Sequence, residues 1–587
     1  MQDPIPIIPP ASGNGGGLVG VLKAAMGSVT EETKPIEQLL RYDPKGGPTK
    51  EHTELLGKLM RRRDLGTRAM AQRRIEWDKV DDHLRMRVDL TSGQRFGDKT
   101  YSKTRKEMPF KRSVVVPISF AVLEVRRSQQ LALHLSRDPH WPIEGVGPED
   151  VLPSKLMEAR LAYDCRLSNY PGVCNQLIYD DERYNCGVVY DTWERKFGWK
   201  LIPPGLDPAT LNPIARAAIA AFMPGSLKPS WDWQLIQEYN SLLNVDPRRF
   251  YPDPRVSFQD VQRGEFVGHG TRRGLMHLVE RSQENDGPYF NIEAVKKKCG
   301  SSWDDSTRKD AVTNEGADEL DRGTYKVDHL QIKLIPKEWG LSTSDRPEIW
   351  WFTWVDDTVI IRCHRSAYAH NEFTYSVSES ITDAHTIEAP GWGEILHPLQ
   401  LLMNWLWNSH IQAVRKRING SLLYSPAIIE EEDLLNPTPG GHVRVTQRVE
   451  ELILSGRLTF QGLYGQLIQN DPTEANIRDM NIVTDMVQRI TAANDPAQGI
   501  PLPDKRTLGE VQAVMGAASQ RIATTAKLRD AMAITPLVTR AIANAQQMTT
   551  REQWMRIPGA LATDLERMAL NNERIQMQGG VVQALIG

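Results

Sequence analysis

The side chains of this chain that could do chemistry are its carboxylates, histidines and thiols. Carboxylates pair at Asp81-Asp82, Asp180-Asp181, Asp304-Asp305 and Asp356-Asp357. A metal-dependent nuclease needs such groups to converge on one or two ions. These pairs are scattered along the chain and fall where loops, turns or exposed helix faces are expected. The 13 histidines are scattered too; His364, His370 and His385 lie near one another and read as surface or interface residues. The cysteines Cys165, Cys174, Cys186, Cys299 and Cys363 form no CxxC pair, so neither a zinc site nor a disulfide framework is indicated, and they read as buried free thiols. Gly15-Gly16-Gly17-Leu18-Val19-Gly20 has the spacing of a dinucleotide-binding turn. No strand precedes it, however, and a glycine tract meets that spacing by chance. Walker A, HExxH and GxSxG patterns are missing. The sequence therefore points to structure and interaction rather than to an enzyme, with no cofactor and no metal expected.

The chain has 587 residues, too many for one hydrophobic core. Its 40% hydrophobic and 25% charged residues are ordinary for a globular protein. A net charge of -3 argues against a protein that grips nucleic acid over its whole surface. It leaves room for a basic patch, or for a channel through which DNA slides. Neither a secretory pattern nor a run of 18 apolar residues occurs, so a cytosolic product that later joins a particle is expected.

Helical and extended segments alternate in a particular order. Residues 51–90 read as helix, with Leu55, Leu56 and Leu59 on one face. From 61 to 127 the chain carries 18 Lys/Arg against 9 Asp/Glu, which fits a solvated helical face or a contact with DNA or an acidic neighbour. Residues 113–135 open with the apolar run Val114-Val115-Val116-Pro117 and continue as a helical pattern through Phe120, Leu123, Leu131 and Leu135, helices are expected over 154–170 and 174–187, and an aromatic-bearing β ribbon opens at Gly187. Prolines mark a turn-rich joint at 246–256, a helical stretch interrupted near Asp286-Gly287-Pro288 is expected over 271–299, and a polar loop over 300–323. Ile349-Trp350-Trp351-Phe352-Thr353-Trp354-Val355 and Thr358-Val359-Ile360-Ile361 flank Asp356-Asp357 as a hairpin. An amphipathic helix follows over 392–419, with Arg415, Lys416 and Arg417 where cations suit the helix dipole. Then come the acidic run Glu430, Glu431, Glu432 and Asp433 between two extended arms, a helix opened by Asp471-Pro472-Thr473-Glu474, and another by Thr507-Leu508-Gly509-Glu510. The tail to 587 reads as mainly helical.

Three short motifs sit in this order: Tyr184-Asn185-Cys186-Gly187 before a strand; Gly391-Trp392-Gly393-Glu394 with Pro398-Leu399-Gln400-Leu401-Leu402-Met403-Asn404; and Leu508-Gly509-Glu510-Val511 followed by Arg521. Together with the element order over residues 110–540, they resemble the portal proteins of tailed bacteriophages. The resemblance implies an α+β, mainly helical fold with wing, stem, clip and crown. Its parts would be a flexible arm (1–50), the N-terminal wing (51–265), a first stem helix and loop (266–323), a β clip insert (324–389), a second stem helix (390–420), a tunnel loop and wing helix (421–500) and a helical crown (501–587). It implies a homo-oligomeric ring, a dodecamer, at one capsid vertex of the virion, assembled in the host cytoplasm. Double-stranded DNA would pass through it during packaging and ejection. The partners implied are capsid protein, the terminase large subunit and the head–tail adaptor, with no membrane. Glu430, Glu431, Glu432, Asp433, Arg415, Lys416 and Arg417 become candidate tunnel residues; Trp350, Trp351, Trp354, Asp356 and Asp357 become candidate docking residues of the clip. The competing readings are another neck or tail protein, a DNA-packaging enzyme, and a general DNA-binding protein.

Overall fold

The computed structural model describes residues 36–43, 46–86, 114–145, 147, 150–202, 230–283, 289–298, 324–418, 422–424, 447–457, 464–466, 473–493, 508–549, 553–556, 575–578 and 581–586. In chain order the main elements are α1 (Lys50–Ala69), α2 (Ala71–Leu84), α3 (Ile118–His134), α4 (Val151–Leu167), α5 (Tyr170–Tyr184), β1 (Gly187–Ile202), β2 (Ser230–Val245), β3 (Phe250–Pro252), β4 (Phe266–Gly274), α6 (Leu275–Gln283), α7 (Ile292–Lys298), β5 (Thr324–Leu334), β6 (Glu348–Val355), β7 (Val359–Arg365), β8 (Tyr375–Ser378), α8 (Trp392–Ile418), α9 (Thr473–Thr491), α10 (Leu508–Arg529) and α11 (Thr535–Met548). The mixed helix and sheet content is that of an α+β chain. No described helix is long and apolar enough to cross a membrane.

The chain divides into two compact units. The first comprises residues up to 69, 249–255 and 261–373. Its centre is an antiparallel sheet in the order β3-β4-β5-β6-β7. Side chains alternate across a strand, so β6 sends Trp350, Phe352 and Trp354 to one face, where Leu55, Leu56 and Leu59 of α1 cover them. On the opposite face Val327, Val355 and Val359 pack under Leu278 of α6 and Val295 of α7. Each buried side chain of this size contributes roughly 1.5–3 kcal/mol. The β6–β7 turn has φ of 47° at Asp356 and 57° at Asp357, a left-handed pair that Asp tolerates better than most residues. Asp356 Oδ1 accepts the Lys326 backbone N–H at 3.0 Å. Asp357 pairs with Arg63, and Arg63 Nη1 also reaches the buried Asp328 at 3.0 Å, tying α1 to the sheet.

The second unit comprises residues 70–248, 256–260 and 374–587. A long ribbon of β1 and β2 takes β8 on its outer edge, in the order β8-β1-β2. Leu161 and Cys165 of α4, Cys174, Leu177 and Ile178 of α5, and Leu537 and Ala541 of α11 pack with Val189 and Leu242 of the ribbon. Val122 and Leu123 of α3, Leu396, Met403 and Leu406 of α8, and Met480, Val483 and Val487 of α9 make two adjoining clusters. Leu422–Tyr424 pairs with Tyr464–Gln466, and three C-terminal strands, Gln553–Arg556, Ile575–Gln578 and Val581–Ile586, form a sheet of their own.

Several expectations need correction. The helix expected over 271–299 is the end of β4 followed by the nine-residue α6 and the seven-residue α7. Phe266 to Gly274 pair along β5 instead, so no long first stem helix exists among the described residues. The β insert does not begin at 324: its sheet starts at Phe250. Nor does it extend to 389, because Tyr375–Ser378 pairs with Tyr190–Gly187 of β1. The described tail is mainly helical, over 508–548, as expected, and adds three short strands after its helices. Gly15–Gly20, Cys299, Asp304-Asp305, most of the N-terminal arm, the 300–323 loop, the second extended arm at 443–445, and the capping residues Asp471 and Thr507 lie outside the described residues.

A row of polar side chains crosses the first unit's sheet: His269, His329, Thr353 and Arg362 are successive cross-strand partners. Burial lowers His269 to about 3, and it lowers His52 in the first turn of α1 to about 4, from an ordinary 6.5. Both are neutral when folded, so their contribution is complete above pH 6.5 and is lost as pH falls toward those values. Each costs at most about 1.4 kcal/mol per pH unit in that window. The melting temperature is therefore expected to decline below pH 6.5, and His269→Gln to decline less steeply, as read by calorimetry at fixed ionic strength. Parallel declines for the two proteins would contradict this.

Candidate functional site

The first two motifs that carry the family resemblance meet in space, in the second unit, where α8 begins. α5 ends at Asn185, whose backbone is left-handed (φ 52°). Its buried amide accepts the Ile381 backbone N–H at 2.8 Å and donates to the carbonyls of Ile381 (2.8 Å) and Ala389 (3.2 Å). This holds the segment that leads into α8 against the end of α5. Gly391 and Gly393 are required by the same closeness. A Cβ on Gly391 would stand 2.8 Å from the Arg183 carbonyl oxygen, and one on Gly393 2.7 Å from that oxygen and 2.6 Å from Val80.

α2 closes the joint from the other side. Arg73 is buried and donates to the carbonyls of Ile387 (2.6 Å), Tyr184 and Ala389 (3.2 Å). Trp77 Nε1 donates to Glu394 at 3.1 Å; burial, opposed by Arg73 and this bond, raises the Glu394 carboxyl. Asp81 accepts from Arg183 (2.6 Å), Tyr184 Oη (2.6 Å) and Arg248 (3.0 Å).

Along α8, Gln400, Asn404 and Asn408 recur every fourth residue and so share one face. They act as a substitute β-strand. Ser119 N donates to Gln400 at 3.0 Å, Val116 N to Asn404 at 3.0 Å and Val114 N to Asn408 at 2.9 Å. Asn408 returns a bond to the Val114 carbonyl at 2.8 Å, and Gln400 bonds the Val116 carbonyl. The extended Val114-Val115-Val116-Pro117 run is thus satisfied by side chains instead of a sheet. The four-residue spacing is the signal for this ladder, and it extends past the Gln400–Asn404 motif to Asn408.

The same unit is held by a buried ionic network. Arg529 at the end of α10 donates to Asp181 through Nε at 2.7 Å and to Glu182 at 3.4 Å, and it also bonds Gln130. Arg126 of α3 donates to Glu182 at 2.7 Å and to the Thr491 carbonyl at the end of α9 at 2.9 Å. Ser378 and Ser380 add bonds to Asp181 (2.7 Å) and Glu182 (3.2 Å). Burial alone would push the Glu182 carboxyl up; Arg126 and Arg529 outweigh it and hold it below the usual range. Arg540 of α11 grips Asp191 of β1 with two bonds, at 3.0 and 2.8 Å. Arg521, in the third motif, donates to the last carbonyls of α9, at Arg489 (3.1 Å) and Ile490 (3.0 Å).

These arrangements fasten elements and do not activate a group. Asp81 and Asp181, expected on exposed faces, are buried and paired with arginines. Arg63, Arg73 and Arg126, from the basic stretch, are buried too and engage this chain's own carboxylates and carbonyls. Among the described residues no group of three His, Cys, Asp or Glu is placed to hold a metal. Cys165, Cys174, Cys186 and Cys363 are buried free thiols, and burial raises Cys174 to about 11. His364 is half-buried and bonded to Arg362 at 2.6 Å, whereas His385 is exposed.

Of the sequence-derived candidates, the structure describes with side chains only Trp350, Trp351, Trp354, Asp356 and Asp357, which share the β6–β7 hairpin. Glu430, Glu431, Glu432 and Asp433 lie outside the described residues, and Arg415, Lys416 and Arg417 are placed only as the last turn of α8, without their side chains. Trp350, Trp351 and Trp354 are buried at 3%, 5% and 0% exposure, so their indoles are packing groups of this subunit and not a docking surface. Asp356 and Asp357 are half-buried and fastened within the turn.

Replacing Arg529 with Met would strand Asp181 and Glu182 without their shared cation. Removing one partner of a buried ion pair costs roughly 3–5 kcal/mol. The expected outcome in denaturant titration is a loss of that size, against less than ~1 kcal/mol for the exposed Arg478→Met. A loss under ~1 kcal/mol for Arg529→Met would mean the network is not a fastening.

Comparison with curated proteins finds no match. Residues 234–577, more than half of the chain, match the family described as phage SU10 portal protein. The match starts inside β2 and runs through the hairpin of Asp356 and Asp357, α8 with Gln400, Asn404 and Asn408, and Arg521 and Arg529, into the strand Ile575–Gln578. With its fold, motifs and fastenings described, the chain belongs to the phage SU10 portal protein family.

Proposed function

We propose that this chain is the ring subunit of a phage portal, a structural component set at one vertex of the capsid, through which double-stranded DNA is packaged and ejected. The observation that carries the reading is the family match over residues 234–577. The ring is a closed homo-oligomer of about twelve copies. It contacts capsid protein, docks the terminase large subunit during packaging and takes the head–tail adaptor afterwards. The mild net charge of -3 supports passage over retention, because a surface that neutralised many phosphates would hold the DNA.

The proposed tunnel loop is bracketed by described structure. Leu422–Tyr424 pairs with Tyr464–Gln466, so the chain between them leaves and returns at one place. Glu430, Glu431, Glu432 and Asp433 belong to that intervening stretch, and Arg415, Lys416 and Arg417 precede its first strand. In this reading the acidic run repels the phosphate backbone, so DNA slides past it, and the basic cluster steers it. Motor and adaptor docking falls to the half-exposed Asp356–Asp357 turn, which Trp350, Trp351 and Trp354 support from inside the sheet.

The test is a chain with Glu430→Gln, Glu431→Gln, Glu432→Gln and Asp433→Asn, assembled into particles. Expected are normal particle assembly, roughly tenfold tighter DNA retention by the isolated protein at low salt, and a lower yield of filled heads. Unchanged DNA retention and packaging would remove the tunnel assignment. Particles that assemble and package DNA equally well without the chain would remove the portal reading itself.

A further inference from the structure

The joint at the origin of α8 holds one carboxyl group that its fastenings do not use. Glu379 directly follows β8. Its neighbours Ser378 and Ser380 bond Asp181 (2.7 Å) and Glu182 (3.2 Å), and Ile381 donates to Asn185 (2.8 Å), so its place is fixed from both sides. Glu379 itself has no solvent exposure. Neither carboxyl oxygen completes a hydrogen bond; the Asp383 backbone N–H approaches them without reaching bonding geometry. By contrast the buried acids Asp81, Asp181 and Glu182 are each bonded to an arginine.

The cation that acts on Glu379 is Arg73 of α2, and it is committed elsewhere. Its Nη1 donates to the Ile387 carbonyl (2.6 Å), and its Nη2 to those of Tyr184, Ala389 (3.2 Å) and Asn185 (3.5 Å). Its Nε–H is buried without an acceptor. One unbonded carboxyl and one unbonded guanidinium N–H thus share the joint. A carboxylate at Glu379 would stay unpaired unless Arg73 left the carbonyls, and a group facing that cost keeps its proton. Burial, opposed by Arg73 and reinforced by Asp181 and Asp383, raises the Glu379 carboxyl to about 8 from an ordinary 4.5. The other titratable groups of the joint are Cys186, whose thiol burial also raises, Asp180 of α5, Glu394 of α8, which burial raises, and the exposed His385 and Glu388.

We infer that Glu379 is a proton-held latch: while it keeps its proton, segment 379–389 lies closed on α2 and α5, and losing the proton releases that segment and the origin of α8. The closed form needs a neutral Glu379. An opened form exposes the carboxyl to water, where it ionises near its ordinary 4.5. Opening therefore releases one proton to the solvent, and the equilibrium shifts toward the open form about tenfold for each pH unit between the two values. Above about 8 the closed form is ionised as well, and the shift stops. The device makes the anchoring of the 27-residue α8 depend on the charge at one buried group. It needs only the fold of a single subunit and does not rest on the ring reading.

The test is amide hydrogen exchange of the full chain, read by mass spectrometry in peptides covering 381–389, with each rate divided by the intrinsic rate at that pH. Wild-type protection there is expected to fall about 100-fold between about pH 5.5 and about pH 7.5, and to level off above about 8. Glu379→Gln, which stands in for the protonated group, is expected to match the wild type at the lower pH and to keep that protection at the higher one. His385 and Glu394 remain in both chains, so the difference belongs to Glu379. A flat wild-type profile, or a Glu379→Gln chain that loses protection as the wild type does, would overturn the inference. Asp383→Asn covers the case in which Glu379→Gln does not fold. It removes a charge that raises Glu379 and keeps an acceptor for the His385 backbone N–H. The levelling is then expected to begin at lower pH, and an unmoved profile would overturn the inference equally.

Discussion

Charge that is taken out of water must be paired, and much of the second unit is arranged to meet that constraint. Asp181, Glu182, Arg126 and Arg529 are all essentially without solvent exposure. Arg529 comes from the end of α10, the acids from α5, Arg126 from α3, and the serines from β8 and the residues after it. None of these elements can shift without stranding an ion, and an isolated buried ion costs several kcal/mol. Well-packed apolar residues would give comparable stability, so the network's effect is to fix one arrangement. The Arg540–Asp191 pair does the same between α11 and β1. A subunit repeated around a ring multiplies any internal slack, which gives a physical reason for fastenings of this kind.

Backbone accounting makes the second half of the frame. The approach to α3 is an extended stretch with no strand beside it among the described residues, and α8 supplies its partners through Gln400, Asn404 and Asn408. At the start of α8, Arg73 collects four carbonyls, and the Asn185 amide bonds Ile381 and Ala389. α8 is therefore fixed at its origin and along its flank.

Periodicity made much of the fold legible. The amphipathic α1 and α8, the β1 strand opening at Gly187 and the β6–β7 hairpin around Asp356-Asp357 follow from local pattern and turn chemistry. What stayed hidden was long-range. Phe266 to Gly274 resemble the start of a helix until their pairing with Thr324–Ile332 is known. Trp350 and Trp354 look like a docking surface until α1 is seen over their face of the sheet, and Trp351 until Arg362 and Tyr368 are seen against it. Arg63, Arg73 and Arg126 look solvated because their partners lie more than a hundred residues away or in elements that fold back on them. The motifs behind the family resemblance read as loose consensus in sequence. In space the first two are the positions where glycine and asparagine are needed to bring α2, α5 and α8 together.

The account's central claim is that the chain is the repeating subunit of a closed ring. Native mass spectrometry of the purified full-length protein, with and without its capsid and scaffolding proteins, tests that directly. The account predicts a single discrete species of about twelve chain masses, with an open centre when the same sample is imaged in negative stain. A chain that stays monomeric or dimeric at high concentration in both conditions would contradict it.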